Sequence, residues 1–288
     1  MSLILSNFSI EDFRIGIPFS SFGARVCYTS GDLDYLLQDP RIVEKERRAE
    51  FLSKLGNYKH FSVFAHSFVY KEVGEWTALR IAATKFKSVY NPDYPDVIGI
   101  SLRHYLEELL NSCEEDYYRA FERIAEFDTE IEILGKEENT VLLSLQTDYD
   151  GWAVFYIDGV SRNMTHQLVR HTKLNFSQRS QRYVKEDENY TVIPPSIEES
   201  LQALELAKSI DNLSQAIYNT FVYQFKIKRE DARFILPSGR RTSIVVSGTL
   251  TDFYDFIEKR DNTHAQWEIR RVAQQMRRLL EENVKSKD

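Results

Sequence analysis

The chain has 288 residues, 42% hydrophobic and 13% aromatic, enough for one large core or two modest ones, which excludes intrinsic disorder. Its net charge of −7 argues against a protein that coats nucleic acid, because phosphate binding needs a basic footprint. Cys27 and Cys113 stand far apart in no CxxC or Cys/His spacing, so neither a disulfide framework nor a structural zinc site is encoded, and a reducing cytoplasm is the expected setting.

The N-terminal stretch is too short in apolar residues for a signal h-region, and no run approaches the ~18 to 20 needed to span a bilayer. A soluble chain with no membrane partner is expected. Residues 43–55 alternate charge with apolar positions at helical spacing, and Gly56-Asn57 supplies a stop. The segment Lys59–Ala65 then leads into a β-rich run, His66–Val73. Residues 74–90 read as a helix, Asn91–Pro95 as a loop, and 102–126 as an acidic helix. Two alternating runs, Thr129–Leu134 and Thr140–Gln146, are split by Gly135–Asn139 in the pattern of a strand pair. Trp152–Ile157 reads as a strand ended by Asp158-Gly159, and Val160–His171 as a helix. Beyond it come a long helix over 197–227, a short one over 229–236 stopped at Pro237, a strand over 242–248, and helices at 249–260 and 264–284. The pattern is α+β, helices mixed with an antiparallel-type sheet, without βαβ rhythm or a glycine-rich dinucleotide fingerprint.

Charge is distributed unevenly. Residues 160–184 hold five Lys/Arg, two His and no Asp or Glu, a local reversal in an acidic chain that points to an anionic ligand. On a helix Gln167, Arg170 and His171 fall at i, i+3 and i+4, which puts Gln167 and Arg170 on one face. An amide beside a guanidinium reads a base edge and a phosphate together. The plain alternative is an arginine-rich helix end pairing with acids elsewhere. The loop Asn175–Tyr183 adds hydroxyls, amides and two guanidiniums suited to a phosphate and a pyrimidine ring. A second basic cluster spans Lys226–Arg241 with Arg233 and the Arg240-Arg241 pair, while Arg260 on its own reads as a surface ion-pair residue. The six histidines include no HExxH, and no metal site is expected. Ser180 has no sequence-local base, so no serine hydrolase is indicated.

The string His166-Gln-Leu-Val-Arg-His171, then Phe-Ser-Gln-Arg-Ser-Gln-Arg-Tyr183, Ala232–Pro237 and His264–Ile269 resembles the flavin-dependent thymidylate synthases. Ala24-Arg-Val26, the histidine-containing segment His60–His66 and Ile157–Arg162 fall in the same order as in that family. The resemblance covers residues 1–66 and 151–288, and leaves 67–150 as an inserted α+β segment within a single domain spanning 1–288. It implies a homotetramer with shared active sites. The implied reaction is reductive methylation of dUMP to dTMP, with methylene-tetrahydrofolate giving the carbon and FAD, reduced by NADPH, the hydride. No cysteine nucleophile is used.

Carried over by position, the resemblance implies that Gln167, Arg170, Gln178, Arg179, Ser180, Arg182, Arg233 and Arg260 bind dUMP. Ser180 and Arg260 are the implied catalytic groups. Tyr183 also matches, or simply packs. On the flavin side it implies His60, Ser62, His171, Thr172, Lys173, Ser177, Thr249, Thr251 and Asp255. That side departs from the family pattern: Ala65 replaces a glutamate, Thr172 an arginine, and Thr249 and Thr251 an asparagine and an arginine. Charge-assisted hydrogen bonds contribute ~1.5 to 3 kcal/mol each, so these losses predict weaker FAD binding unless Lys173, Arg240, Arg241 or the insertion compensates. Two further readings stay open. One is a homologue that keeps the nucleotide pocket with other chemistry, or as a nucleotide sensor. The other is an RNA-binding protein stacking bases on Phe176 and Tyr183.

Overall fold

The structure, a computed structural model, describes residues 2–84, 88–186 and 191–285. Its centre is a five-stranded antiparallel sheet in the order β3-β4-β5-β7-β6. The strands are β3 (Gly135–Lys136), β4 (Thr140–Gln146), β5 (Trp152–Ser161), β6 (Asn175–Gln178) and β7 (Arg241–Gly248). A separate antiparallel ribbon pairs β1 (Phe68–Glu72) with β2 (Val97–Ser101). The α+β reading holds.

Both faces of the sheet are covered, which is why β5 opens on the unbroken apolar run Trp152–Ile157 and why β7 is buried on both faces along Thr242–Gly248, small hydroxyl side chains flanking Ile244–Val246. On one face Phe155, Ile157, Ile244 and Val246 pack with Met164 and Leu168 of helix Arg162–Leu168, Phe253 and Phe256 of helix Leu250–Arg260, and Met276 of helix Trp267–Lys285. On the other, Val154, Tyr156 and Val245 meet Phe19, Phe22 and Val26 of helix Ile17–Tyr28. A further core lies among helices Lys45–Asn57, Leu102–Ser112 and Glu114–Ile124, centred on Leu52, Phe64, Leu106 and Phe121.

Several elements differ from the reading of the sequence. The 102–126 helix is two helices, broken where Cys113 turns extended (φ −156°, ψ 106°) and each satisfies its own terminus. Residues 129–134 are not a strand; β4 is met instead by the two-residue β3. β1 starts at Phe68, and His66 closes a 3-10 turn over Phe61–His66. Of the 74–90 helix, Glu75–Thr84 is helical, Val89 bridges Gly99, and 85–87 lie outside the described residues. Asp158-Gly159 does not end β5: the strand passes a register shift between Ile157 and Val160, with Gly159 at φ +75°, and continues to Ser161. The following helix stops at Leu168, short of Arg170 and His171. Asn175–Gln178 is an edge strand rather than loop, paired to Ile244–Ser247. The 197–227 helix is a short turn at Pro195–Glu198, a helix Leu201–Asn219 and a wider π-type turn Thr220–Gln224. No helix among the described residues is long and apolar enough to cross a membrane.

Candidate nucleotide site

β6 delivers the polar loop. Its end is tied to the fold by the main chain: Arg179 donates to the Ser243 carbonyl at 2.9 Å and Ser180 to the Cys27 carbonyl at 3.1 Å. Ser180 Oγ accepts the Arg182 amide at 3.2 Å. The Arg182 guanidinium lies on the Tyr183 ring, 5.5 Å from its centroid, and donates to the Glu230 carboxylate at 2.9 and 3.0 Å. Arg233 donates to the main-chain carbonyl of that same Glu230 at 3.2 Å. Two expected phosphate-binding arginines, 51 positions apart in sequence, are thus gathered around one residue. Gln178 instead turns inward, donating to Thr165 Oγ1 at 2.9 Å.

His171 and Arg260 form the second grouping. Arg260 Nε donates to His171 Nε2 at 3.0 Å, and the imidazole stands edge-on to Phe256 at 4.9 Å. Burial first, and the Arg260 and Lys259 charges second, push the His171 pKa below its ordinary value, so the ring stays neutral and can accept. Gln167 is half-buried and Arg170 exposed just past the helix end. The resemblance placed Arg260 with the nucleotide and His171 with the flavin; the fold joins them.

One cationic residue was given no role in the sequence reading. Arg162 is pushed down to about 10, by burial first and then by the neighbouring Arg233 and Arg179, with Glu186 opposing. It donates to the Arg179 carbonyl at 2.8 Å. Its signal was its position in the acid-free stretch itself.

The expected flavin positions fall in three places. His60 and Ser62 are exposed, and His60 lies on a cavity of about 730 Å³ lined also by Tyr28, Phe51, Tyr58 and Tyr183, with Arg47 and Lys54 at hand. Tyr28 and Tyr183 rings are 5.0 Å apart and Tyr28 Oη is 3.2 Å from His60 Nδ1. Thr172, Lys173 and Thr251 are exposed, Lys173 standing 3.6 Å from Asp252, while Asp255 is paired to Lys259 at 2.7 Å. Ser177 and Thr249 point into the fold: Ser177 Oγ is 2.8 Å from His66 Nε2, and Thr249 caps helix Leu250–Arg260 by accepting the Asp252 amide at 3.1 Å. Those two hydroxyls do not fit a cofactor role, whereas the exposed positions and the aromatic cavity fit a flavin dinucleotide in chemistry. Arg240 is buried against Asp211 at 3.5 Å, whereas Arg241, paired to Asp158 at 2.7 Å, and Lys173, 3.6 Å from Asp252, keep side chains open to solvent.

The α+β scaffold carries an arginine-lined polar loop at its sheet edge, and the comparisons say which family this combination belongs to. The family model for thymidylate synthase complementing protein matches residues 152–284. A flavin-dependent thymidylate synthase of Thermococcus onnurineus is 36% identical over 175 residues, covering 58% of this chain and 69% of that protein. One of Mycobacteroides abscessus is 37% identical over 135 residues, covering 42% of this chain. The chain spans about half the length of that relative, 54%. The chain belongs to the flavin-dependent thymidylate synthase family. Among solved structures, the UMP/dUMP methylase PolB of Streptomyces cacaoi, bound with 5-Br dUMP, overlaps 44% of this chain and 65% of its own, at 19% identity and TM-score 0.39. Thymidylate synthase X of Helicobacter pylori, with FAD and dUMP, overlaps 43% and 64%, at 19% identity and TM-score 0.33.

Proposed function

We propose that the chain is a cytoplasmic enzyme that methylates dUMP to dTMP, using methylene-tetrahydrofolate as carbon donor and FAD with NADPH as reductant. The observation that carries this reading is the gathering of Arg182 and Arg233 around Glu230 beside Ser180, at the end of a loop free of acids. In this reading these guanidiniums hold the nucleotide phosphate, with Arg170, Gln167 and Arg179 completing the pocket and the inward-turned Gln178 bracing the loop from beneath. Arg260, oriented by neutral His171, withdraws electron density from the uracil carbonyl and so activates the ring toward hydride. Bound flavin supplies that hydride. His60, Ser62, Thr172, Lys173, Thr251 and Asp255 are the positions proposed to hold it, with the Tyr28–Tyr183 cavity receiving a flat heteroaromatic ring.

Helix Leu201–Asn219 supports the homotetramer. Its inward face carries buried Asp211 and Gln215, while Leu206, Ile210, Leu213 and Ile217 are 65%, 53%, 57% and 36% exposed. An apolar stripe turned outward over a polar inner face is what a subunit interface leaves on a single chain.

The test is the absorbance spectrum of the purified protein with and without added FAD, followed by NADPH oxidation with and without dUMP. A flavin band and dUMP-dependent oxidation are expected, with Arg260→Ala lowering kcat/KM by about 10² or more. A colourless protein that takes up no FAD at high concentration sinks the reading. The withdrawal of Ser177 and Thr249 favours one alternative, a nucleotide pocket with altered flavin chemistry; dUMP binding by calorimetry without any NADPH oxidation would identify it.

A further inference from the structure

The strand that delivers the nucleotide loop is held by polar contacts as well as packing. Ser177 Oγ, on β6, lies 2.8 Å from His66 Nε2, and Nδ1 of the same ring lies 2.9 Å from Ser247 Oγ on β7. Ser177 also neighbours Cys27, whose main-chain carbonyl takes the Ser180 amide at 3.1 Å. His66, Ser177 and Ser247 are 1%, 3% and 0% exposed. A neutral imidazole carries one N–H and one lone-pair nitrogen, so it gives one serine the acceptor role and the other the donor role. Burial keeps the ring neutral by holding its pKa down at about 3. Gly23 lets helix Ile17–Tyr28 close on the ring, since a Cβ there would stand 2.6 Å from His66 Cδ2.

We propose, resting on the nucleotide reading of Gln178–Tyr183, that His66 is a positioning residue: it clamps Ser177 between β7 and Cys27, and so fixes where Ser180 and Arg182 meet the substrate. It acts through Ser177 and the main chain. Substitution can separate its two arms. The amide of asparagine occupies the Nδ1 side and keeps the Ser247 contact, whereas glutamine reaches the Nε2 side and keeps Ser177.

The experiment uses the full chain and its variants His66→Asn, His66→Gln and Ser177→Ala, with dUMP affinity by calorimetry and hydrogen exchange at the Ser180 amide. His66→Asn and Ser177→Ala should weaken dUMP binding and speed that exchange by about tenfold each, while His66→Gln stays within about twofold of the parent, as loss of one buried hydrogen bond predicts. Unchanged Ser180 exchange in Ser177→Ala, or equal loss in both His66 variants, overturns the proposal. Should a His66 variant fail to fold, Ser177→Ala decides alone. Should the parent bind no dUMP, the nucleotide reading falls, and the exchange measurement still tests the clamp.

Discussion

At the scale of residues, the site is built from pairs that the chain order separates. His171 and Arg260 are 89 positions apart and meet at 3.0 Å; the sequence offered only two cations in different motifs. Arg182 and Arg233 were legible as candidates, because an acid-free stretch in an acidic chain needs an explanation, but their shared partner Glu230 was not. Ser177 and Thr249 stand where the resemblance puts flavin contacts, Thr249 in place of an asparagine, and only the fold reveals that their hydroxyls face inward. His66 gives a pH prediction. Its folded pKa, about 3, lies below the ordinary 6.5, so between those values the unfolded chain takes up a proton that the native state refuses. The ring's contribution is therefore complete above pH 6.5 and lost as pH falls toward 3. A single such group removes about 2 kcal/mol between pH 6.5 and 5. Urea unfolding at several pH values should show this slope, and His66→Gln should flatten it; parallel curves for the two proteins would contradict the assignment.

At the scale of elements, the ones with one solvated face were readable. Helix Lys45–Asn57 and helix Leu250–Arg260 both present a stripe to a core, and both lie within a few residues of expectation. Helix Ile17–Tyr28 went unassigned because it is buried along Ile17–Val26, which leaves no periodic contrast to read. β6 was hidden for a different reason: Asn175–Gln178 is polar, and its strand state comes from pairing with β7, a tertiary event. Cys113 breaks the acidic helix with no glycine or proline to announce it. Thr249 offers a test at this scale. As an N-cap it contributes to helix Leu250–Arg260, so Thr249→Ala should lower stability by about 1 kcal/mol in denaturant titrations while leaving FAD uptake unchanged. A selective loss of FAD with full stability would return the residue to the cofactor.

At the scale of the whole molecule, we read residues 67–150 as an elaboration that has become part of one domain. β4 from this segment lies inside the main sheet, and the buried Arg48 donates to the Phe127 and Thr129 carbonyls at 2.7 and 3.2 Å, joining its far end to helix Lys45–Asn57. The outward apolar stripe predicts self-association. Leu213→Glu should convert the assembly to smaller species in light scattering, with helix content kept and dUMP-dependent turnover reduced; an unchanged mass would reject the stripe as an interface.

The sequence by itself determined the α+β class, the family, the acid-free segment at 160–184 and most of the elements with a solvated face. Composition, local periodicity and motif order are carried by the chain alone. Tertiary structure decided the strand order β3-β4-β5-β7-β6, the meeting of His171 with Arg260, and which serines and threonines are available to a ligand. It also decided which way helix Leu201–Asn219 turns: periodicity marks an amphipathic helix, but only packing reveals that the polar side faces inward, toward Arg240, and the apolar side outward. The physical reason is common to all of these. A side chain's partner across a long loop is chosen by the packing of the whole, and no local pattern encodes which of several compatible surfaces it will meet.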